Sequence, residues 1–124
     1  GTVMFWMQQE AAAREALQHA PLCIHEALSR FSVWVNPEHA IPNDIVVWGN
    51  GANFDNAIMT NAYSITTSLP PWQFYNDRCY RTVKNLYPDI KLERIGTLHN
   101  AADDARSQAM HLLAIADRYG IELN

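Results

Sequence analysis

Nowhere in this 124-residue chain does an apolar run approach the roughly 20 residues that a membrane-spanning helix needs. The opening Gly1-Thr-Val-Met-Phe-Trp-Met has no basic n-region of the kind a signal peptide carries, so the expectation is a cytoplasmic protein. Cysteine is scarce. Cys23 and Cys79 lie far apart with no metal-ligand spacing, and in a reducing compartment both are expected to be buried or idle thiols. Positive charge is scarce as well: 9 basic against 13 acidic residues leave a net charge of −4. That argues against a protein holding nucleic acid by bulk electrostatics. It does not exclude an enzyme that grips a strand end through metal ions, because the ions bring the positive charge with them. Arg78, Arg81, Lys84, Lys91 and Arg94 fall in one stretch, diluted by Asp77, Asp89 and Glu93. A solvated surface is the ordinary reading of that stretch, and a phosphate-contacting one the alternative. Repeats and low-complexity segments are absent. What is present is 48% hydrophobic and 18% charged residues, the composition of a packed globular domain, and its length suits a single domain over 1–124.

Thr2 is a plausible N-cap for a helix running from Met4 to Ala20, a stretch rich in Ala, Glu, Gln, Met and Leu. Pro21 suits the first turn of a second helix, whose Ile24, Leu28, Phe31 and Val35 repeat with helical period and which Asn36-Pro37 ends. Asp44-Ile-Val-Val-Trp48 reads as a buried parallel strand running into the turn Gly49-Asn-Gly51. A helix is expected from Asp55 to Ile65, broken by Ser68-Leu-Pro-Pro71. Beyond it the pattern gives a short strand near Arg78-Cys-Tyr80, a short helix capped by Thr82 and running through Leu86, and a loop over 89–98. A final helix spans Ala101 to Tyr119, with Ala105, Ala109, Leu112 and Ala116 on its apolar face and Gly120 as its terminator. The four tryptophans, Trp6, Trp34, Trp48 and Trp72, are expected mostly in the core. His19, His25, His39 and His111 show no convergent ligand spacing and are expected at the surface or at caps. The element order is α/β but strand-poor. A single central strand makes no sheet, and with a chain opening at Gly1 this suggests a domain incomplete at its N-terminus, its upstream strands missing.

Two constellations carry chemistry. In Trp48-Gly-Asn-Gly-Ala-Asn-Phe-Asp55 a strand end and a glycine turn deliver a carboxylate to a helix start, at the sheet edge where open α/β folds bind ligands. The plain alternative is that Asn53 or Asp55 caps the helix. In His99-Asn-Ala-Ala-Asp-Asp104 an imidazole precedes a helix whose first turn holds two carboxylates, and there too the alternative is a capping cluster.

Together the two resemble the second and third motifs of DEDDh-type 3′→5′ exonucleases. The likeness is greatest to the prophage and mycobacterial 3′→5′ exoribonuclease (RNase AS-like) family. It extends to Trp72-Gln-Phe-Tyr-Asn-Asp-Arg78-Cys-Tyr-Arg81-Thr82 and to the opening Thr2-Val-Met-Phe-Trp-Met-Gln-Gln, and so covers nearly the whole chain. The resemblance implies an RNase H-like fold and hydrolysis of a nucleic acid from its 3′ end, single-stranded RNA somewhat favoured over DNA, releasing nucleoside 5′-monophosphates. It implies Asp55 and Asp104 as ligands of two divalent ions, Mg²⁺ or Mn²⁺, about 3.5–4 Å apart, and His99 as general base. Asp104 takes the ligand role because it stands five residues after the histidine, which leaves Asp103 facing elsewhere. Asn53, Phe54, Arg78 and Arg81 are candidate substrate contacts, and a homodimer is compatible with the family. The departure is the family's first motif: no Asp-x-Glu occurs among these residues. Without those two carboxylates the chain is expected to bind metal weakly and cleave little or nothing. A non-catalytic module of the same fold is the alternative function.

Overall fold

The structure of the protein is a computed structural model and describes residues 1–18, 22–37 and 44–124. In order along the chain it contains α1 (Thr2–Met7), α2 (Ala11–Gln18), α3 (Ile24–Val35), β1 (Val47–Gly49), α4 (Asp55–Ile65), β2 (Asp77–Cys79), α5 (Tyr80–Leu86) and α6 (Ala101–Tyr119). The architecture is mixed, rich in helix with one small parallel sheet. Two compact units divide it: Leu22–Tyr87 with Asn124, and Gly1–Pro21 with Pro88–Leu123.

The first of these units is a strand–helix–strand arrangement. β1 and β2 pair in parallel with Val47 opposite Asp77, Trp48 opposite Arg78 and Gly49 opposite Cys79. Strand β1 is shorter than the apolar run predicts, and pairing begins only at Val47. Its partner starts one residue before the expected strand, and α5 follows at once from Tyr80, so the helix precedes rather than follows its predicted cap Thr82. The core gathers Leu28 of α3, Tyr63 of α4 and Trp72, with Phe31, Ile45, Val47, Met59 and Ala62 packed against them. Tyr63 is 1% exposed, so its hydroxyl needs a partner. It donates to the Leu28 carbonyl at 3.1 Å and shares a 2.7 Å hydrogen bond with Ser32 Oγ. Trp72 meets the rings of Tyr63 and Phe31 edge-on, at 5.9 and 6.4 Å. The aromatic expectation fails at Trp34, which is 77% exposed on α3.

The second unit is organised by α6. Asn100 caps it: the side-chain oxygen accepts from the Ala102 and Asp103 amides, and Gly120 closes the far end at φ 63°. Of the apolar face that the period predicts, α6 buries Leu112 and half-buries Ala116, while Ala105 and Ala109 are exposed. A second stripe runs through Asp103, Ser107, His111 and Ile115 at i+4 steps to the exposed Tyr119, with Ile115 fully buried. The polar members of this stripe each hold the segment 89–97. Asp103 Oδ2 accepts from the Thr97 amide (2.9 Å), and Ser107 Oγ accepts from the Ile95 amide (2.9 Å). His111 Nε2 donates to the Ile90 carbonyl (2.9 Å), and the Tyr119 hydroxyl donates to Asp89 (2.6 Å). His111 is therefore a buried tie rather than the surface residue its isolation suggests.

The N-terminal helix is also corrected. Instead of one helix from Met4, α1 stops at Met7 and α2 starts at Ala11. Gly1, not Thr2, occupies the N-cap. The interruption has a local cause: Gln9 Nε2 donates to the Phe5 carbonyl and Arg14 Nη1 to the Met7 carbonyl, ending α1 with side-chain bonds. The predicted end at Ala20, Pro21, His19 and His39 lie outside the described residues.

Candidate active site

Asp55 enters the first turn of α4 directly behind the strand end and the glycine turn. The turn is tight: Gly51 takes φ 123°, a conformation that L side chains rarely adopt, and its carbonyl accepts from the amides of Phe54 and Asp55. Gly49 is needed for a different reason. A Cβ there would collide with Asn56 Oδ1 and stand 3.1 Å from Asp55 Cβ. Asn56 is 2% exposed and donates through Nδ2 to the Val47 carbonyl (3.2 Å) and to Asp77 Oδ1 (2.8 Å), which also accepts from Trp72 Nε1 (3.0 Å). This buried cluster clamps the start of α4 to both strands, one residue beyond Asp55. Sequence reasoning missed it, although an asparagine directly after the motif was its only visible sign.

The capping alternative for this motif is not realised. Phe54 is the N-cap residue of α4, and no side-chain capping bond forms there. The half-buried Asp55 carboxylate has no hydrogen-bond or ion-pair partner among the described residues. In the same turn, Asn50 Oδ1 is buried with no hydrogen-bond partner among them. Phe54 is 64% exposed and Asn53 is exposed as well, so both candidate contacts face solvent. Arg81 Nη2 donates to the Asn50 carbonyl at 2.7 Å, tying the guanidinium to the turn. Arg78 lies on β2 and donates to the carbonyls of Tyr75, Asp77 and Asn124. Cys79, the N-cap residue of α5, is half-buried, and a hydrogen bond from the Thr82 side chain and one from the Ala52 backbone bring its pKa down to about 7. Cys23 is exposed.

His99 and Asp104 belong to the other unit. The Asn100 amide donates to the Thr97 carbonyl (3.1 Å), closing a turn in which His99 takes the third position at φ 65°. A left-handed φ at that position of a β-turn is usually left to glycine or asparagine. The His99 ring meets Phe5 of α1 edge-on at 5.2 Å with an interplanar angle of 79°. Asp104 is in the first turn of α6 beside Asp103, and Asn100 of the same constellation caps the helix, so the capping alternative is realised here. Its Oδ1 accepts from Arg94 Nη1 at 3.1 Å. Asp103 turns to Thr97 and has Arg106 at 3.6 Å, which separates the two neighbouring carboxylates into different surroundings.

The structure thus brings His99 and Asp104 together in one unit and sets Asp55, Asn53, Phe54, Arg78 and Arg81 in the other. Among the described residues, no three His, Cys, Asp or Glu side chains gather as a metal-binding group. Taken singly, each carboxylate is a hard oxygen donor of the kind a divalent ion takes: Asp55 has no partner among the described residues, and Asp104 has Arg94 on one of its two oxygens. Among the described residues, no helix is long and apolar enough to cross a membrane.

No curated protein and no solved structure matches the chain. A family model does: the 3′-5′ exoribonuclease Rv2179c-like domain, over residues 1–116. That span takes in both motifs, the Trp72–Thr82 segment and the turn carrying His99. Matched over nearly its whole length, the chain belongs to the Rv2179c-like 3′-5′ exoribonuclease family.

Proposed function

We propose that this chain carries the second and third motifs of a DEDDh-type, RNase H-like exonuclease that removes nucleoside 5′-monophosphates from the 3′ end of single-stranded nucleic acid, RNA before DNA, in the cytoplasm. The observation that supports it best is the state of Asp55: a half-buried carboxylate at a strand's carboxyl end, in a helix's first turn, that does not cap the helix and has no cationic partner among the described residues. Such a carboxylate is poised to receive a ligand. Asp55 and Asp104 would hold two Mg²⁺ or Mn²⁺ ions, which supply positive charge on the attacking and leaving sides of the scissile phosphate. His99 takes the proton of the attacking water at a ring nitrogen, an exchange the imidazole of a histidine suits near neutral pH. The left-handed turn and the Phe5 edge restrict where that ring can go. Phe54 and Asn53 offer an exposed aromatic face and an amide to the terminal nucleotide, while Arg81 and Arg78 offer guanidinium groups to phosphate.

The pattern's first motif, Asp-x-Glu, is not among these residues, so full activity belongs to a domain that supplies all four carboxylates. The test uses 5′-labelled single-stranded RNA with Mn²⁺. That domain is expected to shorten the label from the 3′ end, and His99→Ala or Asp104→Asn to slow it by about 10²-fold or more. The 124-residue chain alone is expected to cleave little or nothing. Digestion from the 5′ end, or a rate indifferent to Asp104, would refute the reading. RNA binding with no hydrolysis even by the four-carboxylate domain would favour a non-catalytic module.

A further inference from the structure

Among the described residues, Asp104 is the one candidate ligand that already has a cation on it. Arg94 Nη1 stands 3.1 Å from its Oδ1, and the pair is asymmetric: the Arg94 side chain is 53% exposed and that of Asp104 27%. Arg94 does not arrive there by chance of a floppy surface. It lies in the segment 89–97, which Asp103, Ser107, His111 and Tyr119 bind to α6. The segment holds a guanidinium over the first turn of the helix, while Asp103, one residue away, is occupied separately by the Thr97 amide and by Arg106 at 3.6 Å. Arg94 takes only Oδ1 of the two carboxylate oxygens, so the competition is one of charge: a guanidinium and a divalent ion drawn to the same carboxylate repel each other at close range.

We infer that Arg94 is a built-in competitor of the divalent ion at Asp104, an internal counter-cation whose charge the metal must overcome. The inference rests on Asp104 being a metal ligand, as proposed above. It makes Arg94 a regulator of metal loading: it keeps Asp104 neutralised in the metal-free chain and sets the ion concentration at which the carboxylate changes partners. Because the pair is partly exposed and screened, its removal tightens metal binding modestly, by about two- to fivefold.

The experiment is an Mn²⁺ titration of the 124-residue chain followed by paramagnetic broadening of amide signals around Asp104, which reads weak binding directly and needs no catalysis. Arg94→Gln is expected to shift the midpoint two- to fivefold lower. Arg94→Lys, which keeps the charge, is expected to stay near wild type. Arg106→Gln is the charge-matched control on the same helix turn, since it removes one positive charge beside Asp103 and not at Asp104, and it is expected to leave the midpoint unchanged. The four other ties of the segment keep it in place in Arg94→Gln, and the unbroadened amide spectrum checks this. A midpoint that Arg94→Gln leaves alone or raises, an equal shift from Arg106→Gln, or no broadening in any variant would overturn the inference. Asp104→Asn separates the two ideas. If it leaves broadening unchanged, Asp104 is no ligand and the functional reading fails. If it abolishes broadening while Arg94→Gln does nothing, only the role of Arg94 fails.

Discussion

Replacing Gly49 with alanine should unfasten the start of α4 from the sheet. The added Cβ would occupy the space of Asn56 Oδ1, inside a cluster where Asn56 is 2% exposed, so the amide cannot swing into solvent without a larger rearrangement. Overpacking of this kind costs about 1–3 kcal/mol. Displacing the amide also weakens its bonds to Val47 O and Asp77 Oδ1, each worth about 0.5–1.5 kcal/mol net. A total near 3 kcal/mol follows, which at a urea m-value of about 1.5–2 kcal/mol/M lowers the unfolding midpoint by about 1.5–2 M. Equilibrium urea unfolding, followed by tryptophan fluorescence and far-UV circular dichroism together, measures it. The double variant identifies the mechanism. With Asn56→Ala already present the new methyl has room, so Gly49→Ala should cost at least about 1 kcal/mol less in that background. A midpoint shift under about 0.5 M in the single variant, or strict additivity in the double one, would refute the steric account.

Asn100→Ala should cost about 1 kcal/mol in the same assay because two α6 amides lose their acceptor, whereas Asn100→Asp should stay close to wild type. In a Cys23→Ser background, alkylation of Cys79 by iodoacetamide should rise with a midpoint near pH 7, and Thr82→Val should move that midpoint up toward the ordinary thiol value of 9.0. Since folding lowers this pKa, the thiolate's contribution to stability is complete above about pH 9 and is lost as pH falls through about 7.

Local signals carried far where the chain's own neighbours decide the outcome. The turn Gly49–Gly51, the helix from Asp55 to Ile65 and the helix from Ala101 to Tyr119 stand where glycine and proline punctuation puts them. The inward face of α6 was hidden because its best-buried polar residues, Ser107 and His111, are satisfied by backbone groups of a loop, and apolar periodicity counts such residues as outward. The break between α1 and α2 was hidden for a similar reason, since Gln9 and Arg14 are good helix formers that here end a helix with their side chains. At the candidate site, motif order singled out Asp55, His99 and Asp104. Their surroundings were not legible: Arg94 lies ten residues before its partner Asp104, and Asp77 lies 21 residues after Asn56. Such pairings depend on how a loop or strand returns to a helix, and no spacing rule contains that.

The segment tied to α6 is held by long side chains at one end and short ones at the other. Asp89 and Ile90 are adjacent, yet the residues that hold them, Tyr119 and His111, stand about 12 Å apart along the helix axis, so side-chain reach covers what one backbone step cannot. At the other end the ties are the short side chains of Ser107 and Asp103. Insertions and deletions between Asp89 and Thr97 therefore have unequal consequences. A change of length beside Asp89 can be taken up by the Tyr119 side chain, whereas one between Ile95 and Thr97 passes directly into the turn that carries His99.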